Sequence, residues 1–186
     1  MLSRTLENNG ILSKRLLELE VFTFSEAIRF VKELPYGRTV DRANPGLVLK
    51  ELKGTCSTKH AVLKKIAIEQ SYDEVRLFLC LFKMNGSNTP KLSCILNKYK
   101  VQYIPEAHCL LKINNDFIDV TNAASSYDNL KDDVLELIEI QPDQIGEFKV
   151  NYHQAYLKKW LKNNNSEYLF DEFWDIREEC IKVLSS

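Results

Sequence analysis

The sequence has no Cys-x-x-Cys pair, no apolar leader at its start, and no apolar run near the roughly 20 residues that span a bilayer. Its five cysteines (56, 80, 94, 109 and 180) are an odd number. Read together, these absences predict free thiols in a reducing cytoplasm rather than a disulfide framework or a membrane anchor. Charge of one sign is missing too. A net charge of −1 and a pI near 6.3 give no signature for nucleic acid or an anionic membrane surface. Internal repeats and low-complexity linkers are absent. Histidine is scarce, at three, so candidate bases are few.

What is present is an ordinary globular composition, 45% hydrophobic and 27% charged over 186 residues. That length predicts a single domain over 1–186, with a core over about 25–140 and a helical extension over about 143–186. Residues 11–20 read as a short helix. In FTFSEAIRFVKELPYG, Ser25 reads as the N-cap, Ala27, Ile28, Val31 and Leu34 as the apolar stripe, and Pro35 as the stop. Residues 36–55 read as loop. From Ser57 the apolar spacing is helical. EVRLFLCLFKM (74–84) reads as a strand buried on both faces, NGSNTP (85–90) as a turn, and VLELIEI (134–140) as another strand. The stretch KLSCILNKYKVQYIP is ambiguous. After Pro142 the pattern is helical twice, broken at NNNS. The order is helices, then an antiparallel sheet, then helices, an α+β class.

KGTCSTKHAVLKK (53–65) places Cys56 where that helix begins. Unpaired N–H groups and the positive end of the helix dipole favour thiolate there, and thiolate is the nucleophile. Gly54 is expected to permit a tight turn and leave room for a substrate. His60, one turn on, shares the face of Cys56 and is expected to pack beside the site. His153 reads as structural or exposed. In AHCLLKI, alternation sends Cys109 to the apolar face and leaves His108 available on the other. A two-residue turn at Asn114-Asn115 makes cross-strand partners sum to 229 and sets Asp119 diagonal to His108. A turn at Asn115-Asp116 keeps the face, and a three-residue loop flips it. Asp119 also suits a plain turn cap before Thr121. Lys59, Lys64 and Lys65 read as a solvated helix back.

Cys56, His108 and Asp119 thus follow the order nucleophile, base and orienting acid. With GTC opening a helix, the buried strand 74–84 and EAHCLLKINNDFIDVT, the chain resembles the transglutaminase-like superfamily and its papain-related fold, over about Gly54–Thr121. The resemblance implies a cysteine at a helix N-terminus packed on an antiparallel sheet, with extra N- and C-terminal helices here. It implies that Cys56 is the nucleophile, His108 the base and Asp119 the orienting acid. No cofactor or metal is implied. Departures are Cys109 in place of an aromatic after the histidine, no tryptophan ahead of Cys56, and no papain-style glutamine before it. For the oxyanion, Tyr36 and then Arg38, in PYGR, are the candidates beside the Cys56 N–H. The implied activity is a cysteine hydrolase or acyltransferase acting on a peptide-like amide or thioester, with crosslinking disfavoured. An arylamine acetyltransferase shares the triad order, but its Arg-Gly-Gly is missing. The alternative is a catalytically silent binding module on the same scaffold, with the aromatic tail as a partner surface. A metal site from Cys56, His60 and His108 lacks a familiar closed ligand set.

Overall fold

The computed structural model describes residues 4–184 and, among them, seven α-helices and a four-stranded antiparallel sheet, an α+β arrangement. The N-terminal helices are α1 (Ile11–Glu18) and α2 (Phe24–Glu33). Thr23, rather than Ser25, caps α2, because only Thr23 has a glutamate three residues on. Its hydroxyl accepts the Glu26 N–H at 3.2 Å, and Glu26 returns a bond to the Thr23 N–H at 2.9 Å. Ser25 is exposed. Leu34 is extended, as a residue before proline prefers, so the helix stops there. The expected loop 36–55 contains a short helix, α3 (Leu47–Glu51), whose Val48 and Leu49 are buried. Four turn-forming residues in that stretch hid one apolar face.

Helix α4 (Cys56–Glu69) is followed by strand β1 (Val75–Asn85), which runs through the middle of the sheet. The ambiguous stretch resolves into helix α5 (Ser93–Lys98) and the start of strand β2 (Tyr103–Ile113). Strand β3 (Asp116–Ile118) returns across a two-residue turn with Ile113 opposite Asp116 and Leu111 opposite Ile118. The register therefore sums to 229. Asn114 takes the turn's left-handed φ of 54°, which asparagine tolerates. Strand β4 (Val134–Ile140) pairs with the other side of β1, giving the order β3-β2-β1-β4.

Alternation along β1 and β2 builds two apolar clusters. Val75, Leu77, Leu79 and Leu81 join Ala107, Cys109, Leu111 and Ile113 beneath α4, α2 and α1. Cys80, Phe82, Met84, Ile104 and Leu110 form the other, covered by helices α6 (Glu147–Asn163) and α7 (Phe170–Leu184). Cys109 lies in the first cluster, as its strand parity requires. The C-terminal helices thus close the second face of the sheet with Leu157, Leu161, Phe173, Ile176 and Cys180. No described helix is long and apolar enough to cross a membrane.

Candidate active site

Helix α4 begins at Cys56 because of the residues around it. Thr55 is the extended N-cap, and its N–H donates to Thr58 Oγ1 at 2.9 Å, while the opposing Thr58 N–H to Thr55 Oγ1 bond is stretched to 3.5 Å. The loop after α2 runs beside this seam. The Gly37 N–H donates to the Gly54 carbonyl at 3.1 Å and the Gly54 N–H to the Pro35 carbonyl at 3.2 Å. Those two bonds carry Tyr36 and Arg38 to the side of Cys56. Gly54 has an ordinary backbone angle, so a strained turn does not explain it. A Cβ there would lie 2.9 Å from Lys59 Cγ and 3.0 Å from Val48 Cγ2. The glycine lets α3 and the first turn of α4 come together.

The Cys56 thiol is half-buried, 3.8 Å from Ser57 Oγ and 3.9 Å from Lys149 Nζ. Lys149 also donates to Ser57 Oγ at 2.7 Å. Burial alone would raise the thiol, but the Lys149 ammonium and then the His108 imidazolium outweigh it and bring it down to about 6. His108 Nε2 lies 2.9 Å from Asp119 Oδ2, which leaves Nδ1 as the nitrogen facing other partners. Burial opposes a charge on His108, yet Asp119 and Cys56 hold its pKa well above the usual histidine value. Asp119 is itself buried. Despite that burial, the His108 charge and hydrogen bond keep its carboxyl well below the usual carboxylate range. Its second oxygen accepts the Thr121 N–H at 2.9 Å, so Asp119 both orients the imidazole and caps the turn.

His60 packs beside this group, fully buried. Its Nδ1 donates to the Cys56 carbonyl at 2.6 Å and its Nε2 accepts the Val120 N–H at 2.9 Å. Those partners fix the neutral tautomer. Burial first, with His108 adding to it, lowers its pKa to about 4 against the pull of Asp119. His153 is structural and not exposed: it is buried and meets the Pro105 carbonyl at 2.7 Å.

The lysines correct the expectation of a solvated helix back. Lys59 is fully buried, and its Nζ donates to the carbonyls of Leu34 at 2.5 Å and Thr121 at 2.9 Å. Burial lowers its pKa to about 8. Lys64 donates to the Val75 carbonyl at 2.7 Å, and only Lys65 is exposed.

A cleft of about 610 Å³ opens on Cys56, lined in part by Tyr36, Arg38 and Thr55 on one side and by Lys149, Trp174 and Arg177 on the other. Tyr36 keeps 39% of its surface exposed, but the packing around its phenol, followed by the nearby Cys56 charge, raises it above its ordinary value, so its hydroxyl stays a donor. A larger depression of about 1230 Å³ lies between α1, α3 and the back of α4, and contains neither Cys56 nor Tyr36. Among the described residues no three His, Cys, Asp or Glu side chains converge as metal ligands.

Sequence reasoning missed Lys149, which sits 93 residues from Cys56. The one available signal was its i, i+4 spacing to His153 on a helix. Glu106 was also missed. It is buried and receives Arg177 Nε at 2.7 Å and Nη2 at 2.5 Å, joining the sheet to α7 beneath the cleft. The chain has no match among protein-family models, curated proteins or solved structures.

Proposed function

We propose that the protein is a transglutaminase-like cysteine hydrolase or acyltransferase acting on an amide or thioester. The observation that carries this reading is the cluster at the head of α4. A thiol lowered to about 6 borders a cleft, and an imidazole raised above its usual value is held 2.9 Å from a buried carboxylate.

The Cys56 thiolate attacks the carbonyl carbon and the C=O electrons move to oxygen. The developing oxyanion lies toward the Cys56 N–H, one of the first-turn donors that has no acceptor within the helix. The Tyr36 hydroxyl is the second donor, with Arg38 behind it at the mouth of the cleft. As the intermediate collapses, the C–N or C–S bond breaks and the leaving group takes the proton from imidazolium His108. A thioester to Cys56 remains. Water, or an amine, then attacks that thioester while His108 takes its proton. The product leaves and the thiolate–imidazolium pair is restored. Asp119 stays ionised throughout and orients the ring. Hydrolysis of a peptide-like amide is favoured over crosslinking, because no tryptophan precedes Cys56.

The test is the pH dependence of Cys56 alkylation, followed site by site by mass spectrometry, with Cys80 and Cys180 as controls. Burial pushes both control thiols up to about 11. Alkylation of Cys56 should reach half its plateau near pH 6, and His108→Ala should move that midpoint upward. Amide turnover should rise over the same range and fall again as His108 loses its proton, giving a bell where alkylation gives a plateau. A Cys56 that titrates like an ordinary thiol would overturn the reading and leave a binding module on this scaffold.

A further inference from the structure

The cleft over Cys56 is cationic in a chain whose formal charge is −1. Arg38, Arg42, Lys149, Arg177 and Lys182 line it against two carboxylates, Glu106 and Glu178, a formal excess of +3. Both carboxylates are committed to one partner. Arg177 grips Glu106 through Nε and Nη2 and reaches Glu178 through Nη1. Among the described residues no carboxylate lies within salt-bridge distance of Arg38, Arg42 or Lys182, although the Lys182 charge also acts on Glu179, and all three are exposed around the mouth. Charges of one sign on the walls of a concave, partly apolar site focus the field into it. Ile145, Val150 and Trp174 supply the apolar wall. A volume of about 610 Å³ suits a short peptide segment.

We propose that the substrate is an acidic peptide. A side-chain carboxylate next to the scissile carbonyl is received by Arg38 and Arg42 on one wall and Lys182 on the other. Arginine supplies the planar fork that fits a carboxylate, and Lys182 a point charge. Inside, Lys149 is bonded to Ser57 Oγ and stands beside the thiol, so it serves the nucleophile rather than the substrate's charge. This inference rests on the cysteine acyl-transfer reading for its chemistry but not for its electrostatics.

Three probes separate the two: iodoacetyl-Glu-amide, its neutral isostere iodoacetyl-Gln-amide, and iodoacetyl-Lys-amide. In each, the Cys56 thiolate attacks the CH2–I carbon and expels iodide, with no acyl-enzyme required. Rates at Cys56 are measured by mass spectrometry at pH 7 in low and high salt, with exposed Cys94 as the internal reference. The Glu reagent should react about 10-fold faster than the Gln reagent at low salt, with the Lys reagent slowest. The preference should collapse at high salt. A double variant, Arg42→Gln with Lys182→Gln, changes two exposed residues and keeps Arg38; it should remove most of the Glu preference and leave the Gln rate in place. Equal rates for all three reagents at a reactive Cys56 would overturn the acidic-peptide assignment and leave the activated thiol standing. A preference undiminished in the double variant would also overturn it, because two of the three mouth cations would then play no part in reading the charge. If Cys56 resists all three while Cys94 reacts, both proposals fall.

Discussion

Cys56 owes its character to two neighbours that work from opposite sides. His108 arrives from the sheet with its charge anchored by Asp119, and Lys149 arrives from α6 with its nitrogen 3.9 Å from the sulfur. A unit charge at that distance typically moves a pKa by about 1 to 3 units. Lys149→Met should therefore raise the midpoint of Cys56 alkylation by at least about 1 unit, as read from the same pH profile. An unchanged midpoint would assign the lowering to His108 alone. His60 has the opposite task. Held neutral between the Cys56 carbonyl and the Val120 N–H, it ties the start of α4 to the segment carrying Asp119 without adding a second cation to the site.

At the scale of the elements, the head of α4 is fixed by Thr58 more than by Thr55. The short bond at this cap is Thr55 N–H to Thr58 Oγ1 at 2.9 Å, and the reverse one is stretched to 3.5 Å. Thr58→Val leaves a backbone donor without an acceptor and should cost about 1 to 2 kcal/mol. Thr55→Ala loses only the weaker partner and should cost about 0.5 kcal/mol. Urea melts of the two variants test the order, and the reverse order would mean that Thr55 is the working cap. Lys59 extends this coupling between elements. Its ammonium bonds the carbonyls of Leu34 and Thr121, so the loop bearing Tyr36 and the turn bearing Asp119 hang from one buried side chain of α4.

For the molecule as a whole, the C-terminal helices cover one face of the sheet and supply one wall of the cleft, locked by the buried Glu106–Arg177 pair. Burial opposes the Glu106 charge, but Arg177 and then His153 bring its pKa down to about 2 from an ordinary 4.5. The folded state then binds fewer protons than the unfolded one. This contribution to stability is complete above pH 4.5 and is lost as pH falls toward 2. His60, lowered from 6.5 to about 4, acts in the same direction over its own interval, because the unfolded chain protonates first. Urea melts from pH 7 to pH 3 should therefore show falling stability in two overlapping stages. Arg177→Met should cost about 3 to 5 kcal/mol at pH 7 by stranding a buried carboxylate, and should make the lower stage shallower, leaving the part that Asp119 contributes in the same acid range. A profile as steep as that of the unaltered protein would mean that the pair is not the acid-sensitive link.

What the sequence determined by itself was local. Apolar spacing marked α4 and β1, and turn chemistry over Asn114–Asp116 marked a hairpin with three possible turns, of which the fold took the one that sets Asp119 diagonal to His108. These follow from backbone geometry and period, which act over a few residues. The cap at Thr23 was equally local; the glutamate three residues on distinguished it from Ser25. Tertiary structure decided the rest. Nothing in the KHAVLKK pattern separates Lys59, fully buried on three carbonyls, from exposed Lys65, since both read as helix cations. Lys149 reached Cys56, and Arg177 reached Glu106, only when two helices closed over the second sheet face. A charge is stable in such a place because of partners brought from distant segments, and that desolvation and pairing energy leaves no trace in the local pattern.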